Sequence, residues 1–246
     1  MATQGHISRP GAWSFPDCLE LGVPGFGSLT WQESQSVLAL FAITSSPLLL
    51  GNDARPGRMQ QRLVDLLTNP DLIAVDQYYS DAEAFAGGRI WSGPTGKEVW
   101  GKPLRRGVAA VVLVNRFGSA IGNFEDPLKP NGGLPAAFAP FPGCFITDGD
   151  PLKAPCDENV TSTTGAQEVS IDFASTVPRS WLGFDDDGDA AHNRKGHRSV
   201  SCDVFDILAA PNAGRPLGRY DGKWAATIPP HGARFLRLEN CTSTFV

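Results

Sequence analysis

Residues 30–53, TWQESQSVLALFAITSSPLLLGND, predict a helix followed by a short buried strand. Thr30 and Glu33 have the spacing of a capping box, in which the two side chains satisfy free amides at the start of a helix. The apolar positions that follow have the one-face spacing of a helix and are Val37, Leu40, Phe41 and Thr44. Pro47 ends the helix because it has no amide proton to continue it. The continuous apolar run Leu48–Leu50 is typical of a strand that is covered on both faces.

The next residues repeat this arrangement of helix and apolar run. A second helix is predicted from the spacing of Met59, Leu63, Leu66 and Leu67, and it ends near Asn69-Pro70. A further apolar run, Leu72–Val75, follows it. This alternation predicts a parallel sheet, as in a barrel or a doubly wound fold. Because only about two such units are present, they cannot bury both faces of a parallel strand, and we expect some of this apolar surface to contact residues outside the chain.

From about Lys97 the apolar pattern changes to the two-residue period of strands. Glu98–Leu104, the turn 105–107 and Val108–Val114 predict a hairpin. Further predicted strands are Val169–Phe173 and Val204–Leu208, and a closing hairpin is predicted from Ala225–Ile228, the turn 229–232 and Arg234–Leu238. Two Pro- and Gly-rich stretches, Phe117–Pro155 and Ser175–Ser201, are predicted to be loops. The change of period places a domain boundary between residues 80 and 97.

Composition and charge exclude several classes of protein. The chain has 246 residues, of which 41% are hydrophobic and 19% are charged, the balance of a globular protein. Its net charge of −5 is spread along the chain, so no nucleic-acid surface is predicted. No stretch approaches the roughly 18 apolar residues of a membrane helix, and Met1–Arg9 has no apolar core of a signal peptide. We therefore predict neither a membrane partner nor a leader, and the sequence does not indicate an oligomeric state.

Cysteine and asparagine motifs bear on the compartment without fixing it. Of the five cysteines, Cys144 and Cys156 flank a short loop and form a candidate disulfide, although free thiols in a reduced compartment fit the sequence equally well. Two Asn-x-Thr sequons, at Asn159 and Asn240, are compatible with secretion but also occur by chance.

No metal or cofactor is predicted. The acidic run Asp185–Asp189 invites a calcium site, but its spacing does not fit the D-x-D-x-D-G loop, and a solvated turn is favoured. The four histidines are scattered along the chain, and His231, in the predicted turn of the closing hairpin, is interpreted as structural. The sequence contains neither a phosphate-binding glycine loop nor a G-x-S-x-G elbow.

Several blocks, in this order, resemble melibiase-type α-galactosidases (glycoside hydrolase family 27). RPGAWSFPDCLE at 9–20 is similar to P-G-G-W-N-D-P-D-M-L, and PLLLGNDAR at 47–55 to P-L-x-x-x-x-D-x-R. LLTNPDLIAVDQ at 66–77 is similar to L-L-x-N-x-x-V-I-A-V-N-Q. EVWGKPL at 98–104, with residues 109–116, resembles the first hairpin of the C-terminal β domain, and residues 228–238 resemble its closing V-P-P-H-G hairpin.

The resemblance implies an α/β part followed by an all-β part. Residues 1–90 are expected to be the last two βα units of a (β/α)8 barrel, and residues 97–246 an antiparallel β-sandwich domain with long loop insertions. The implied activity is retaining hydrolysis of terminal α-D-galactosyl groups, and an α-N-acetylgalactosaminidase specificity is an alternative. The resemblance also suggests a secreted, lysosomal or vacuolar protein.

The chain is nevertheless expected to lack catalysis of its own. Family nucleophiles lie in a K-Y-D strand end and acid/base residues in a W-R-x-x-x-D segment, and neither pattern occurs here. Retaining glycosidases need both carboxylates. We therefore interpret the chain as the truncated C-terminal half of such an enzyme, with no catalytic residue assigned. The alternative is a non-catalytic module derived from the family that binds a carbohydrate or a protein.

The same blocks nominate residues for substrate binding. Asp17 corresponds to a family aspartate beside the sugar, with turn capping as the alternative role. Cys18 stands where the family has Met, and Trp13 offers an aromatic face, although a buried packing role is equally plausible. Asp53 and Arg55 are expected to support the site, with Asp53 orienting Arg55 or a loop amide. Ser14-Phe15 replaces the family's Asn-Asp, which implies altered sugar contacts or a copy without function.

Overall fold

The computed structural model describes residues 8–21, 29–79, 86–116, 165–184, 198–209 and 214–245. Three α-helices come first: α1 (Trp31–Ile43), α2 (Gln61–Leu67) and α3 (Pro70–Gln77). Eight strands follow: β1 (Gly88–Ser92), β2 (Lys97–Pro103), β3 (Ala109–Asn115), β4 (Gln167–Asp172), β5 (Arg198–Asp206), β6 (Arg215–Asp221), β7 (Lys223–Ile228) and β8 (Ala233–Phe245). Within these described ranges no helix is long and apolar enough to cross a membrane.

The predicted start of α1 is confirmed by both hydrogen bonds of its capping box. The Thr30 hydroxyl accepts from the Glu33 amide at 3.2 Å, and the Glu33 carboxylate accepts from the Thr30 amide at 2.8 Å. These bonds satisfy two amides that have no partner within the helix. The predicted end before Pro47 is also confirmed, since the helix stops at Ile43.

The apolar run Leu72–Val75 lies in helix α3, so its interpretation as part of a strand–helix alternation was wrong. Asn69 caps this helix, and its side-chain oxygen accepts from the amides of Asp71 and Leu72. Pro70 follows at the first helical position, where its fixed φ favours a helix and its missing amide costs nothing. The Asn-Pro pair that was expected to end α2 therefore also begins the next helix.

The predicted buried strand Leu48–Leu50 is also wrong. Leu49 and Leu50 are 53% and 45% exposed, and only Leu50 takes part in a bridge, a single parallel one with Leu19. A strand needs a run of paired neighbours to satisfy its backbone, and among the described residues this segment has one such contact. The exposure agrees with the expectation that this surface contacts residues outside the chain.

The predicted first hairpin is confirmed, and its second strand forms the centre of the fold. Strands β2 and β3 pair without a register shift from Lys97–Asn115 to Pro103–Ala109. They belong to a six-stranded antiparallel sheet in the order β1-β2-β3-β8-β5-β6, whereas β4 and β7 form a separate two-stranded sheet. Every residue of β3 is buried, which means that both faces of the sheet are covered at this strand.

Two apolar cores lie on the two faces of the six-stranded sheet. On one face Ala110, Val112 and Val114 pack with Phe235 and with the apolar residues of α1–α3. On the other face Ala109, Val111 and Leu113 pack with β4, β5, β7 and β8. The second core is that of a β-sandwich, and the first attaches the helices to the sandwich. The division into residues 1–90 and 97–246 remains a prediction.

The predicted closing hairpin Ala225–Leu238 is wrong, although both of its strands exist. Strand β7 pairs with β4, and strand β8 pairs with β3 and β5. The turn 229–232 therefore carries the chain from one sheet to the other. Its His231 has a positive φ of 56°, and its backbone carbonyl accepts a 2.6 Å hydrogen bond from the Ser36 hydroxyl on α1. Local alternation predicted the strands but could not specify their partners.

The predicted loops and disulfide have mixed outcomes. The stretch Phe117–Pro155 and the pair Cys144 and Cys156 lie outside the described residues. Within Ser175–Ser201, the loop prediction was wrong at both ends, because Arg179–Leu182 forms a 3-10 helix and β5 begins at Arg198. The structure contains a disulfide that the sequence did not indicate, between Cys202 on β5 and Cys241 on β8. Because the two cysteines are 39 residues apart, no local sequence pattern indicated this pairing.

Candidate functional site

Three predicted site residues, Trp13, Asp17 and Cys18, follow a tight turn near the start of the described chain. Arg9 and Ala12 exchange two backbone hydrogen bonds of 3.1 and 2.8 Å, and Gly11 between them has a φ of +84° that suits glycine. The Ser8 hydroxyl accepts from the Ser14 amide at 2.9 Å. These contacts fix the turn, so that the segment after it leaves in a defined direction.

The segment that follows this turn, residues 17–21, runs beside residues 49–52 in the same direction. The Leu19 amide donates to the Leu49 carbonyl at 2.7 Å, and the Gly51 amide donates to the Leu19 carbonyl at 2.8 Å. Further along, the Asn52 side chain donates to the Leu21 carbonyl at 2.6 Å. The two backbone bonds form a single parallel bridge between Leu19 and Leu50, and the Asn52 side chain extends the contact to Leu21. This pairing brings together residues of two separate motifs, 9–20 and 47–55.

Gly51 is where the two segments approach most closely. A Cβ atom at Gly51 would stand 2.9 Å from the Glu20 Cγ and 3.4 Å from the Cys18 Cβ. A larger residue at this position would therefore require the Glu20 side chain to move. Cys18, which was predicted to border a bound sugar, lies directly against this contact, and its thiol is free and exposed.

Asp17 has an unusual backbone conformation and an accessible carboxylate. Its φ is +92°, a value that non-glycine residues rarely adopt and that often occurs at binding sites. One carboxylate oxygen accepts the Cys18 amide at 2.8 Å, and the residue is exposed. This hydrogen bond matches the turn-capping alternative, while the exposure leaves the carboxylate free to accept donors from a ligand.

Two aromatic side chains of the same segment are also exposed. Trp13 is 37% exposed, so it does not have the buried packing role that was the alternative. Its ring meets the Tyr79 ring edge to face, with centroids 5.7 Å apart and an interplanar angle of 88°. Phe15, one of the two residues that depart from the family motif, is 53% exposed. The segment therefore exposes two aromatic rings and an acidic side chain within five consecutive residues, 13–17.

Asp53 is engaged by neighbouring arginines. The Arg55 guanidinium donates to both of its oxygens, and Arg58 Nε lies 3.9 Å from its Oδ2. The hydrogen bond from the Arg55 side chain is the main cause that lowers the pKa of Asp53 to about 2. A carboxyl group with this pKa stays ionised at neutral and mildly acidic pH, so Asp53 is not suited to donate a proton. Its contact with Arg55 is the one that the sequence favoured.

The structure does not join the two candidate carboxylates. Within residues 8–21 and 29–79, no hydrogen bond or ion pair links Asp17 to Asp53. Asp17 precedes the Leu19–Leu50 bridge, and Asp53 follows it. Each carboxylate has a separate local partner. Asp17 thus keeps an exposed carboxylate, and Asp53 lies in an exposed ion pair with Arg55.

The sequence analysis missed a buried pair of titratable residues. Lys102 on β2 is 0% exposed, and burial lowers its pKa to about 8 against the opposing effect of Asp76. Burial likewise raises the pKa of Asp76 to about 7, with Lys102 opposing the change, and the buried Oδ1 of Asp76 accepts no hydrogen bond from the described residues. A signal was present, since Asp76 stands where the resembled V-N-Q motif has Asn.

Metal and pocket geometry do not point to another site. In the part of the chain that the structure describes, no three His, Cys, Asp or Glu residues cluster as metal ligands, and the acidic run Asp185–Asp189 lies outside that part. A shallow pocket lies between α1, α2 and the residues after β5, where the Arg62 guanidinium stacks 5.0 Å from the Trp31 ring. None of the predicted site residues lines this pocket.

Comparison with known proteins confirms the resemblance for part of the chain. Residues 3–78 match the family model Melibiase_2, described as alpha galactosidase A. α-Galactosidase A of Homo sapiens is 34% identical over 147 residues, which are 60% of this chain and 32% of the human protein. The chain thus spans about a third of the length of that relative.

Solved structures show the same fold at lower identity. α-Galactosidase I of Mortierella vinacea is 18% identical with a TM-score of 0.57, over 95% of this chain and 41% of that one. The Saccharomyces cerevisiae α-galactosidase solved with raffinose is 16% identical with a TM-score of 0.58, over 96% and 48%. At these identities the match concerns the fold alone. It agrees with the predicted class in part, because the described residues form mainly antiparallel sheet with few helices.

Proposed function

We propose that this chain forms one rim of a galactoside-binding pocket in a protein of the α-galactosidase type. The observation that carries the proposal is the parallel pairing of the Asp17 segment with the Gly51–Asp53 segment. The pairing brings Cys18, the neighbour of Asp17, against Gly51, so residues of both segments border the same part of the molecule. Both segments also match the melibiase-type motifs, and residues 3–78 match the family model.

Each candidate residue has a role that fits its surroundings. Asp17 is exposed and ionisable, so its carboxylate accepts hydrogen bonds from sugar hydroxyls. Trp13, held at its edge by Tyr79, offers a face for the apolar side of a sugar ring. Cys18 packs against Gly51, and the Asp53–Arg55 pair fixes the loop that follows Gly51.

We also propose that the chain alone does not hydrolyse galactosides. Retaining hydrolysis needs a nucleophile and an acid/base carboxylate about 5 Å apart across the glycosidic bond. The K-Y-D and W-R-x-x-x-D segments that supply them in the family do not occur in this sequence. Assay of the purified chain on a chromogenic α-galactoside is expected to give no turnover, and robust turnover would refute this part of the proposal.

A chimera tests the rim itself. The corresponding part of a full-length α-galactosidase is replaced by this chain, and kcat/KM is measured on a chromogenic α-galactoside. Asp17→Asn keeps the shape and tolerates a positive φ but removes the charge, so a loss of about tenfold to a hundredfold is expected, as for a hydrogen bond to a charged group. Asp65→Asn, on an exposed turn of α2, is the matched control. Equal activity of the two variants would overturn the assignment of Asp17.

A second candidate is a non-catalytic module that binds a carbohydrate or a protein through its β-rich part. It is favoured by the two-sheet core, which contains no residue of the Asp17 segment. Calorimetric titration of the full chain with galactosides separates the two proposals. Binding that Asp17→Asn abolishes supports the rim, whereas binding that survives this substitution supports a site on the sandwich.

A further inference from the structure

Strand β8 carries a bulge at Asn240. Strands β5 and β8 pair in regular antiparallel register on both sides, but the register shifts between Ser201 and Asp203. Cys202 on β5 therefore faces two residues of β8, Asn240 and Cys241. Asn240 has a φ of +49°, which asparagine tolerates better than most residues. A bulge leaves its extra residue outside the regular pairing, so the Asn240 side chain is exposed.

Among the described residues, no strand pairs with the other edge of β8 at this point. Strand β3 pairs with β8 only as far as Leu238, which stands opposite Ala109. Beyond Leu238 the strand keeps β5 as its neighbour, and no described strand lies on its other edge. A group attached to Asn240 would therefore displace no strand of the sheet.

The residues around Asn240 are polar and lie on the surface. The Asn240 amide nitrogen donates to the Asp203 carboxylate at 2.9 Å. Arg219 donates to the Asn240 carbonyl at 3.0 Å and to the Thr242 hydroxyl at 2.6 Å. All four of these side chains are exposed or partly exposed, and neither apolar core of the described residues includes Asn240. A hydrophilic substituent at this position would remain in solvent.

The adjacent disulfide indicates the compartment. Cys241, the central residue of the sequon Asn240-Cys241-Thr242, is bonded to Cys202, which is 0% exposed. Such bonds form and persist in the secretory lumen and outside the cell. This is also the compartment in which Asn-x-Thr sequons are modified. The sequon and the disulfide share a residue, so both features place one surface in an oxidising environment.

We propose that Asn240 is an N-glycosylation site. In the transfer, the Asn240 side-chain nitrogen bonds to the anomeric carbon of a lipid-linked oligosaccharyl pyrophosphate. The bond from that carbon to the phosphate oxygen breaks, the lipid pyrophosphate leaves with the electron pair, and the nitrogen gives up one proton. The glycan covers the polar surface beside the open edge of β8 and protects that edge from pairing with another chain.

The test uses the full chain behind a cleavable secretory leader in a eukaryotic cell. Total translocated protein is treated with peptide-N-glycosidase in ¹⁸O water, and the peptide that contains Asn240 is analysed by mass spectrometry. Conversion to ¹⁸O-labelled aspartate at position 240 is the expected result. Because transfer precedes folding, a variant that folds poorly still gives a readout, and leader cleavage shows that the chain entered the lumen.

Substitutions at Thr242 test whether labelling at position 240 depends on the sequon. Thr242→Ala removes the hydroxyl and is expected to abolish labelling at position 240, whereas Thr242→Ser keeps it and retains labelling. Thr244→Ala, on the same exposed strand but outside the sequon, is the matched control and is expected to leave labelling unchanged. Unmodified Asn240 in leader-cleaved chain would overturn the proposal. The outcome is independent of the galactoside experiments, since it involves no residue of the Asp17 segment.

Discussion

Replacement of Lys102 by methionine is expected to destabilise the fold strongly, because this one ammonium group joins the helices to the sheet. Lys102 projects from β2 and donates to the Ser45 hydroxyl at 2.6 Å, to the Val75 carbonyl at 2.5 Å and to the Asp76 carbonyl at 3.2 Å. The first partner follows α1, and the other two end α3. Methionine fills a similar volume but donates no hydrogen bond.

The magnitude follows from two opposing effects. Each hydrogen bond from a charged donor contributes about 1.5–3 kcal/mol. Against this, burial lowers the pKa of Lys102 from 10.5 to about 8, which means that holding the charged form in the fold costs about 3 kcal/mol at neutral pH. Removal of Lys102 relieves that cost but leaves two backbone carbonyls and the Ser45 hydroxyl without their donor. We expect a net loss of about 3 kcal/mol, within the range for breaking a buried charged contact.

The assay is thermal and urea unfolding of the purified chain near pH 6. In a chain of this size 1 kcal/mol corresponds to about 2–4 °C, so Lys102→Met is expected to lower Tm by about 6–12 °C. Lys223→Met, on an exposed position of β7, is the matched control and should change stability by less than about 0.5 kcal/mol. If the two variants melt together, Lys102 does not hold the helices to the sheet and the reasoning fails.

Three further substitutions, one of them with a matched control, test other features of the fold. Burial raises the pKa of Asp76 to about 7, so the stability that its bound proton contributes is fully present below pH 3.8 and is lost as pH rises through 7. Asp76→Asn should therefore match the wild type near pH 4 and be more stable than the wild type near pH 7.5. A difference in urea midpoints that does not change with pH would contradict this. His231→Ala removes the 2.8 Å contact with Glu33 and should lower the free energy of unfolding by about 1–2 kcal/mol, whereas an unchanged urea midpoint would show that the contact is not stabilising. Cys202→Ser should cost about 2–4 kcal/mol by loss of the disulfide, and Cys18→Ser, at a free exposed thiol, should cost nothing measurable by the same unfolding assay. Equal midpoints for these two serine variants would argue against the disulfide.

Features that depend on nearby residues were predictable. The capping box at Thr30 and Glu33 formed as expected because its two hydrogen bonds span only three residues. The hairpin through residues 105–107 formed because its turn directly joins two alternating strands. For the candidate site, the sequence blocks identified Asp17, Trp13 and the Asp53–Arg55 contact, and their roles in binding remain predictions.

Features that depend on distant partners were not predictable. The strands on either side of residues 229–232 read as a hairpin, yet each pairs with strands far away in sequence, because both faces of β3 must be covered by different layers. The run Leu72–Val75 is apolar enough for a strand, but the Asn69 cap and packing against α1 make it a helix. A short apolar run does not distinguish the two outcomes.

The sequence alone determined the family resemblance, the start of α1 and the central hairpin, since each is written in adjacent residues. The tertiary structure alone decided that Lys102 is buried beside Asp76, that Cys202 bonds Cys241, and that the Asp17 segment runs parallel to Gly51–Asp53. These contacts join residues that are 26 to 39 positions apart in the sequence. Their energies arise from burial and from the alignment of separate segments, which local residue patterns do not encode.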